Sequence, residues 1–247
     1  MQAIAREMNL SETTFLLPPA SPKADARVRI FTVSEELPFA GHPTLGTAFV
    51  VASGKPQRKV VRLETKVGIL PVRREGSYFE MRQKDPVFGA TVAREGLAGA
   101  LRLPLADLDH RAAPQVVSTG LPFLVVPLRT EAALRRVNPD YAVLSRLLRE
   151  AGARFPYYLV TAEDRLEARM FDPTFEDPGT GSAAGCAAAF LVRYGFRPPD
   201  LAFPIFQGRA MHRPCEITAQ ASIASEVVRN VRMGGHVVRA LEGKVQL

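Results

Sequence analysis

A chain of 247 residues has ample length for a buried core, either as one large domain or as two small ones. At 47% hydrophobic and 23% charged its composition is that of an ordinary globular protein; no apolar run reaches the roughly 20 residues of a membrane span and no basic-then-apolar leader opens it, so a soluble, cytoplasmic protein with no membrane partner is expected. The net charge of +7 comes from dispersed arginines, with no basic block beside aromatic residues, which argues against a nucleic-acid partner and suits an anionic substrate.

In chain order, residues 1–9 have helical spacing and ETTFLL follows directly as a strand. RVRIFTV alternates as a strand, and HPTLGTAFVVAS reads as a helix after a turn. KVVRLETKVGILPVRR, broken at Gly68, reads as a hairpin, and SYFEMRQ as a further strand. The Pro- and Leu-rich stretch 103–115 is a candidate boundary. Beyond it PFLVVPL is a strand, EAALRRVNPDYAVLSRLLREAG two helical pieces broken at Pro139, and PYYLVTAE and RLEARMFD strands. A helix from about Ser182 to Tyr194 ends at Gly195, and residues 216–247 read as closing strands. Strands outnumber helices, so the expected class is α+β.

An internal repeat organises these elements. RIFTVSEELPFAGHPTLGTAFV (29–50) overlies RMFDPTFEDPGTGSAAGCAAAF (169–190) without a gap, matching Arg29 with Arg169, Phe31 with Phe171, Glu36 with Glu176, Pro38 with Pro178, Gly41 with Gly181 and Ala48 with Ala188. The matched residues fill the same roles in a strand, an acidic-proline turn, a glycine and a helix rich in small residues. Two copies of strand–turn–helix imply two similar domains. A helix start presents unpaired N–H groups and the positive end of the dipole, so Gly41-His42 and Gly181-Ser182 are each expected to favour an anion such as a carboxylate-bearing substrate.

Three segments, REMNLSETTF (6–15), ELPFAGHPTLGTA (36–48) and EDPGTGSAAG (176–185), together resemble the signatures of the PhzF-like family of phenazine biosynthesis isomerases. The resemblance runs from Met1 to the C-terminus and is weakest between about 85 and 165. It implies two similar lobes, each a β-barrel-like sheet around a central helix as in diaminopimelate epimerase, with the active site in the cleft between them. Residues 1–105 would form the first lobe, completed by about 236–247, and residues 106–235 the second. On the same grounds Glu12 matches the family's acid/base glutamate, and His42 and Asp177 the residues that orient substrate and assist proton movement. Ser11, Gly41, Gly181 and Ser182 match positions lining the substrate pocket. A homodimer is implied, with no cofactor and no metal.

The residue types suit that chemistry. Moving a proton between carbons needs one group that both accepts and donates, and a carboxylate withdrawn from water has its pKa raised towards working pH. A neighbouring imidazole and a second carboxylate can share the proton while helix ends hold the substrate's anionic group. Taken singly, Glu12 is also readable as a polar corner residue, Asp177 as a turn former before Pro178, and His42 as a neighbour of a helix cap.

Other readings are weaker. A thiol-based racemase or epimerase of a small amino acid needs a cysteine at each helix start, whereas Cys186 falls about two turns inside its helix. GTGSAAG misses the dinucleotide glycine spacing by one and lacks a phosphate-binding Gly-Lys-Ser/Thr. A non-catalytic small-molecule-binding protein on the same fold would tolerate Glu12→Gln. Two cysteines make no disulfide framework, and His42, His110, His212 and His236 show no zinc spacing.

The chain departs from the family pattern in two places. Family members begin with a strand, a Gly-Asn-Pro turn and a second strand, none of which is in this sequence, so an exposed sheet edge is expected in the first lobe. That points either to a start upstream of Met1 or to an edge rebuilt by a partner chain, and it puts activity in question. QGRAMHRPCEI (207–217) keeps the family's Gln207, Gly208, Arg213 and Pro214 but carries His212 and Cys215 where small residues are usual.

Overall fold

The structure is a computed structural model that describes residues 1–161 and 165–244. Its contacts divide the chain into two compact units, Met1–Pro38 with Pro43–Met81 and Gly234–Leu247, and Phe39–His42 with Arg82–Met233.

In the first unit, helix α1 (Gln2–Met8) ends where Asn9 turns left-handed at φ 49°. Strands β1 (Thr13–Leu17) and β2 (Ala26–Phe31) pair antiparallel, and β3 (Glu36–Leu37) folds back on the end of β2. Helix α2 (His42–Ala52) then leads to β4 (Val60–Thr65), which runs parallel to β2. The hairpin partner β5 (Gly68–Glu75) and then β6 (Tyr78–Arg82) continue antiparallel. Val28, Ile30, Val61, Leu63, Val72 and Phe79 are buried, each contributing about 1.5–3 kcal/mol of transfer free energy. β1 stands at the edge of this sheet, and Leu16 on it is 42% exposed.

The second unit begins with β7 (Val87–Thr91), α3 (Arg94–Leu101), β8 (Gln115–Ser118) and β9 (Pro122–Leu128). Helices α4 (Glu131–Arg136) and α5 (Tyr141–Ala151) lie either side of Pro139. Thr130 caps α4 through Ala133 N–H, Asp140 caps α5 through Ala142 and Val143 N–H, and Gly152 closes α5 at φ 76°. Strands β10 (Phe155–Val160), β11 (Leu166–Phe171) and β12 (Glu176–Asp177) precede α6 (Gly181–Arg193). The unit closes with β13 (Phe203–Gln207), β14 (Cys215–Ala224) and β15 (Val227–His236), whose residues from Gly234 on fall in the first unit.

The second unit's sheet runs β7, β8, β9, β10, β11, β13, β14, with β9–β10 and β11–β13 parallel and the other pairs antiparallel. Leu97 and Leu101 of α3, Leu134 of α4 and Leu144 and Leu148 of α5 pack into one core with Leu124, Val126, Tyr158 and Phe171. α6 is buried from Gly181 to Val192 and packs against β8, β9, β10 and β14, which explains why its residues are small or apolar on every side. The class is α+β, with six α-helices among the described residues.

The repeat found in the sequence is a repeat of structure. β2 and β11 each pair antiparallel with the preceding strand and with a two-residue strand after the turn, then run parallel to the strand that follows the helix. Arg29 grips Glu36 through Nε and Nη2 at 2.9 and 2.8 Å, and Arg169 grips Glu176 through the same atoms at 2.8 and 2.9 Å. Each guanidinium also lies over the phenylalanine two residues on, Phe31 or Phe171. Hydrogen bonds from Arg29 hold the Glu36 carboxyl down at about 2 against the opposing effect of burial.

Several elements differ from the sequence reading. The stretch 103–115 buries Leu103 and Leu108 in the core of the second unit. β7, α3, β8 and β13 were not foreseen. The closing strands stop at His236, because side chains beyond it, such as Val238 at 79% and Leu241 at 93% exposed, find no apolar surface. The ends of two expected strands, at 162–163 and 245–247, lie outside the described residues. No helix among the described residues is long and apolar enough to cross a membrane.

Asp109 gives the second unit a pH-dependent stabilisation. Its side chain is 2% exposed and takes hydrogen bonds from Arg111 Nη2 at 2.6 Å, Arg111 N–H at 3.0 Å and Thr161 Oγ1 at 2.8 Å. Burial alone would raise its pKa, but the Arg111 side chain, the Arg111 amide and Thr161 together bring it down from 3.8 to about 2. A depressed carboxyl stabilises the fold above its unfolded pKa, and that contribution is lost as pH falls from near 4 through about 2. Urea denaturation at pH 6 and pH 2.5 is therefore expected to show Asp109→Asn losing about 2 kcal/mol less on acidification than the native chain. Equal losses would remove Asp109 as the cause.

Candidate active site

Asp177, the last residue of β12, is buried in the second unit with 4% exposure. Its Oδ1 accepts Gly179 N–H at 3.2 Å and its Oδ2 accepts the Thr180 hydroxyl at 2.8 Å. Because Thr180 spends its hydroxyl on Asp177, α6 begins with no side-chain cap on its first turn and no acidic residue in it. The first-turn amides have no partner inside the helix, so the positive end of α6 is left for whatever lies in front of it.

What lies against it is the start of the other repeated helix. Residues Phe39–His42 belong to the second unit, and the Gly41 backbone sits directly on Gly181 and Ser182. A Cβ on Gly41 would fall 2.5 Å from Ser182 N and 2.6 Å from the Gly181 carbonyl carbon. A Cβ on Gly181 would run into the Met233 side chain and would also stand 3.2 Å from His42 N and 3.3 Å from Gly41 Cα. Of the two glycines matched in the repeat, Gly41 is thus the one whose lack of a side chain lets the helix starts meet. Their junction places Gly41, His42, Gly181 and Ser182 together, with Asp177 at the end of β12 just before the turn that leads into it. Ser182 is buried and His42 is exposed.

Polar side chains behind the junction hold α6 in place. Gln83 Nε2 donates to the Gly181 carbonyl at 2.9 Å, and the Thr119 hydroxyl donates to Gln83 Oε1 at 2.6 Å. The Gln83 amide occupies the space a side chain at Gly185 would need, so the GTGSAAG glycines serve packing. Gln83 and Thr119 were invisible to the sequence reading, since nothing in their local pattern marks partners 98 and 36 residues away.

Glu12 and Ser11 belong to the first unit, in the link between α1 and β1. Both are half-buried, and Glu12 Oε2 is shielded from water. Neither cysteine has the setting of a thiolate nucleophile. Burial raises the Cys186 thiol to about 11 against the opposing effect of the neighbouring Thr119, and Cys215 beside Gly179 is raised by burial and by Asp177. His212 ends a short 3-10 turn in the left-handed region at φ 56°.

Comparison with known proteins places the chain in a family. Residues 1–243 match the model of the phenazine biosynthesis-like protein family. The trans-2,3-dihydro-3-hydroxyanthranilate isomerase of Pseudomonas aeruginosa is 36% identical over 259 residues, covering 100% of this chain and 88% of that protein. A solved structure of a predicted epimerase from Pseudomonas aeruginosa superposes with a TM-score of 0.82 at 39% identity, covering 95% of this chain and 84% of that one. A phenazine biosynthesis protein of the PhzF family from Bacillus anthracis gives a TM-score of 0.84 at 29% identity, covering 100% and 88%. On the family match, the isomerase relatives and the shared fold, the chain belongs to the phenazine biosynthesis-like proteins, as an isomerase of the PhzF-like kind.

Proposed function

We propose that the chain is a cofactor-independent isomerase that moves a proton between two carbons of a small, carboxylate-bearing metabolite, with Glu12 as the general base and acid. The observation that carries the reading is the junction of the two helix starts at Gly41–His42 and Gly181–Ser182, with the buried Asp177 carboxylate beside it. The first-turn amides of α6 favour a bound carboxylate. Removing a proton from a carbon in conjugation with that carboxylate spreads negative charge towards it, so the same amides stabilise the transition state more than the ground state. Glu12 takes the proton as a carboxylate and returns it to the second carbon as an acid, so no electrons leave the substrate and no redox partner is needed. His42 and Asp177 orient the substrate and share the proton, and Ser11 and Ser182 line the site. Two similar lobes, a homodimer and a cytoplasmic setting complete the reading, on the internal repeat and the family resemblance.

Trans-2,3-dihydro-3-hydroxyanthranilate, the compound named for the Pseudomonas aeruginosa relative, is the first substrate to test. Purified protein is expected to isomerise it, and Asp177→Asn to lower kcat about 10²-fold or more with its melting temperature within a few degrees of the native value. Wild-type rates in Asp177→Asn would remove Asp177 from the chemistry.

A further inference from the structure

Asp177 and the turn that follows it are held by buried side chains that the other copy of the same motif lacks. Gln207, the last residue of β13, is fully buried and uses all of its amide. Its Nε2 donates to the Asp177 carbonyl at 2.7 Å and to Thr180 Oγ1 at 2.9 Å. Its Oε1 accepts the Tyr157 hydroxyl at 3.1 Å and Thr180 N–H at 3.2 Å. A carbonyl can only accept and an N–H can only donate, so the Asp177 and Thr180 backbones fix which end of the amide is which. Thr180 Oγ1 already receives Nε2–H, and its single proton is therefore directed at Asp177 Oδ2, 2.8 Å away.

None of this exists in the first copy. The repeat places Leu37 where Asp177 stands and Ala40 where Thr180 stands. The pairing of Ala26 with Leu63 on one side and Leu166 with Ile205 on the other places Thr65 where Gln207 stands. β2, β3 and α2 form there regardless, so the strand–turn–helix does not require the clamp. Burying an amide, a hydroxyl and a phenol has a desolvation cost that only complete hydrogen bonding offsets, and the chain meets it only in the copy that holds Asp177.

We propose that Gln207, acting through Thr180 and braced by Tyr157, is a positioning residue for the reaction. With Oδ2 accepting the Thr180 hydroxyl and Oδ1 the Gly179 amide, it holds the Asp177 carboxylate in one fixed orientation while the carboxylate takes up and releases a proton during turnover. The inference rests on the role given to Asp177 in the proposed isomerase.

The test compares Thr180→Val, which loses the hydroxyl at constant shape, with Thr180→Ser, which keeps it, and with Gln207→Leu. With trans-2,3-dihydro-3-hydroxyanthranilate, Thr180→Val and Gln207→Leu are expected to lower kcat about 10- to 100-fold with KM within about twofold, while Thr180→Ser stays within about threefold of native, in line with loss of a hydrogen bond to a charged group. Native kcat in Thr180→Val, or equal losses in Thr180→Val and Thr180→Ser, would overturn the proposal. A native protein silent on this compound would count against the reading of the function instead. The clamp is then judged without substrate, from the Asp177 13Cγ resonance identified with Asp177→Asn. A resonance displaced in Thr180→Val and restored in Thr180→Ser supports it, and an undisplaced one overturns it. Should Thr180→Val fail to fold, Tyr157→Phe gives the answer, with a displaced Asp177 resonance expected and an unchanged one contradicting the brace.

Discussion

Gly41→Ala is expected to damage the protein far more than a methyl group ordinarily does. Its Cβ would stand 2.5 Å from Ser182 N, 2.6 Å from the Gly181 carbonyl carbon and 2.7 Å from Gly181 Cα, all of them backbone atoms that cannot rotate away. One helix start has to move from the other, and overpacking of this kind costs about 1–3 kcal/mol or more. For a chain of this length that is a fall in melting temperature of about 2–12 °C. On the proposed reading, in which the helix starts hold substrate, activity should fall further than stability, since displacing such an element by about 1 Å can cost about 10²-fold in rate. Gly46, five residues on and inside α2, is the control. Nothing lies within 4 Å of where its Cβ would be, so Gly46→Ala should be neutral or stabilise by up to about 1 kcal/mol through helix propensity. Differential scanning calorimetry of the two variants checks this, and equal effects would mean that the junction of helix starts tolerates a side chain.

Glu12→Gln carries the second large effect. The substitution keeps the size and shape of the side chain and removes only its capacity to take a proton, so the half-buried link between α1 and β1 should fold as before. General acid–base catalysis contributes about 10²–10⁴-fold, and a residue that serves as base in one half of the reaction and acid in the other should lose at least that range. Substrate affinity should change little, because the anionic group is assigned to the helix starts and not to Glu12. A variant that binds and does not turn over separates catalysis from mere binding on the same fold.

Much of this was legible because the chain says the same thing twice. The identities Arg29/Arg169, Phe31/Phe171 and Glu36/Glu176 proved to be the same ion pair under the same cation–π contact, and Gly41/Gly181 the two halves of one close approach. Caps and breaks were also local: Asp140 and Gly152 bound α5, and Pro139 parts it from α4. What stayed hidden lacked a local signal. α3 carries Gly96 and Gly99 in eight residues, so propensity argues against a helix that its buried Leu97 and Leu101 nonetheless secure. β7 is a short strand with three exposed residues in a row at its end, and β13 is interrupted by Pro204. Gln207 was noticed only as part of a motif, because its partners Tyr157, Asp177 and Thr180 are scattered along the chain and meet only when β10, β13 and the α6 turn pack together.

The most direct test of the central claim is proton NMR of trans-2,3-dihydro-3-hydroxyanthranilate in D₂O with the native protein and with folded Glu12→Gln. The account predicts that the native protein shifts the double bonds and protonates a new carbon, with deuterium appearing there to the extent that Glu12 exchanges with solvent, and that Glu12→Gln does neither. Conversion by Glu12→Gln at the native rate would contradict it.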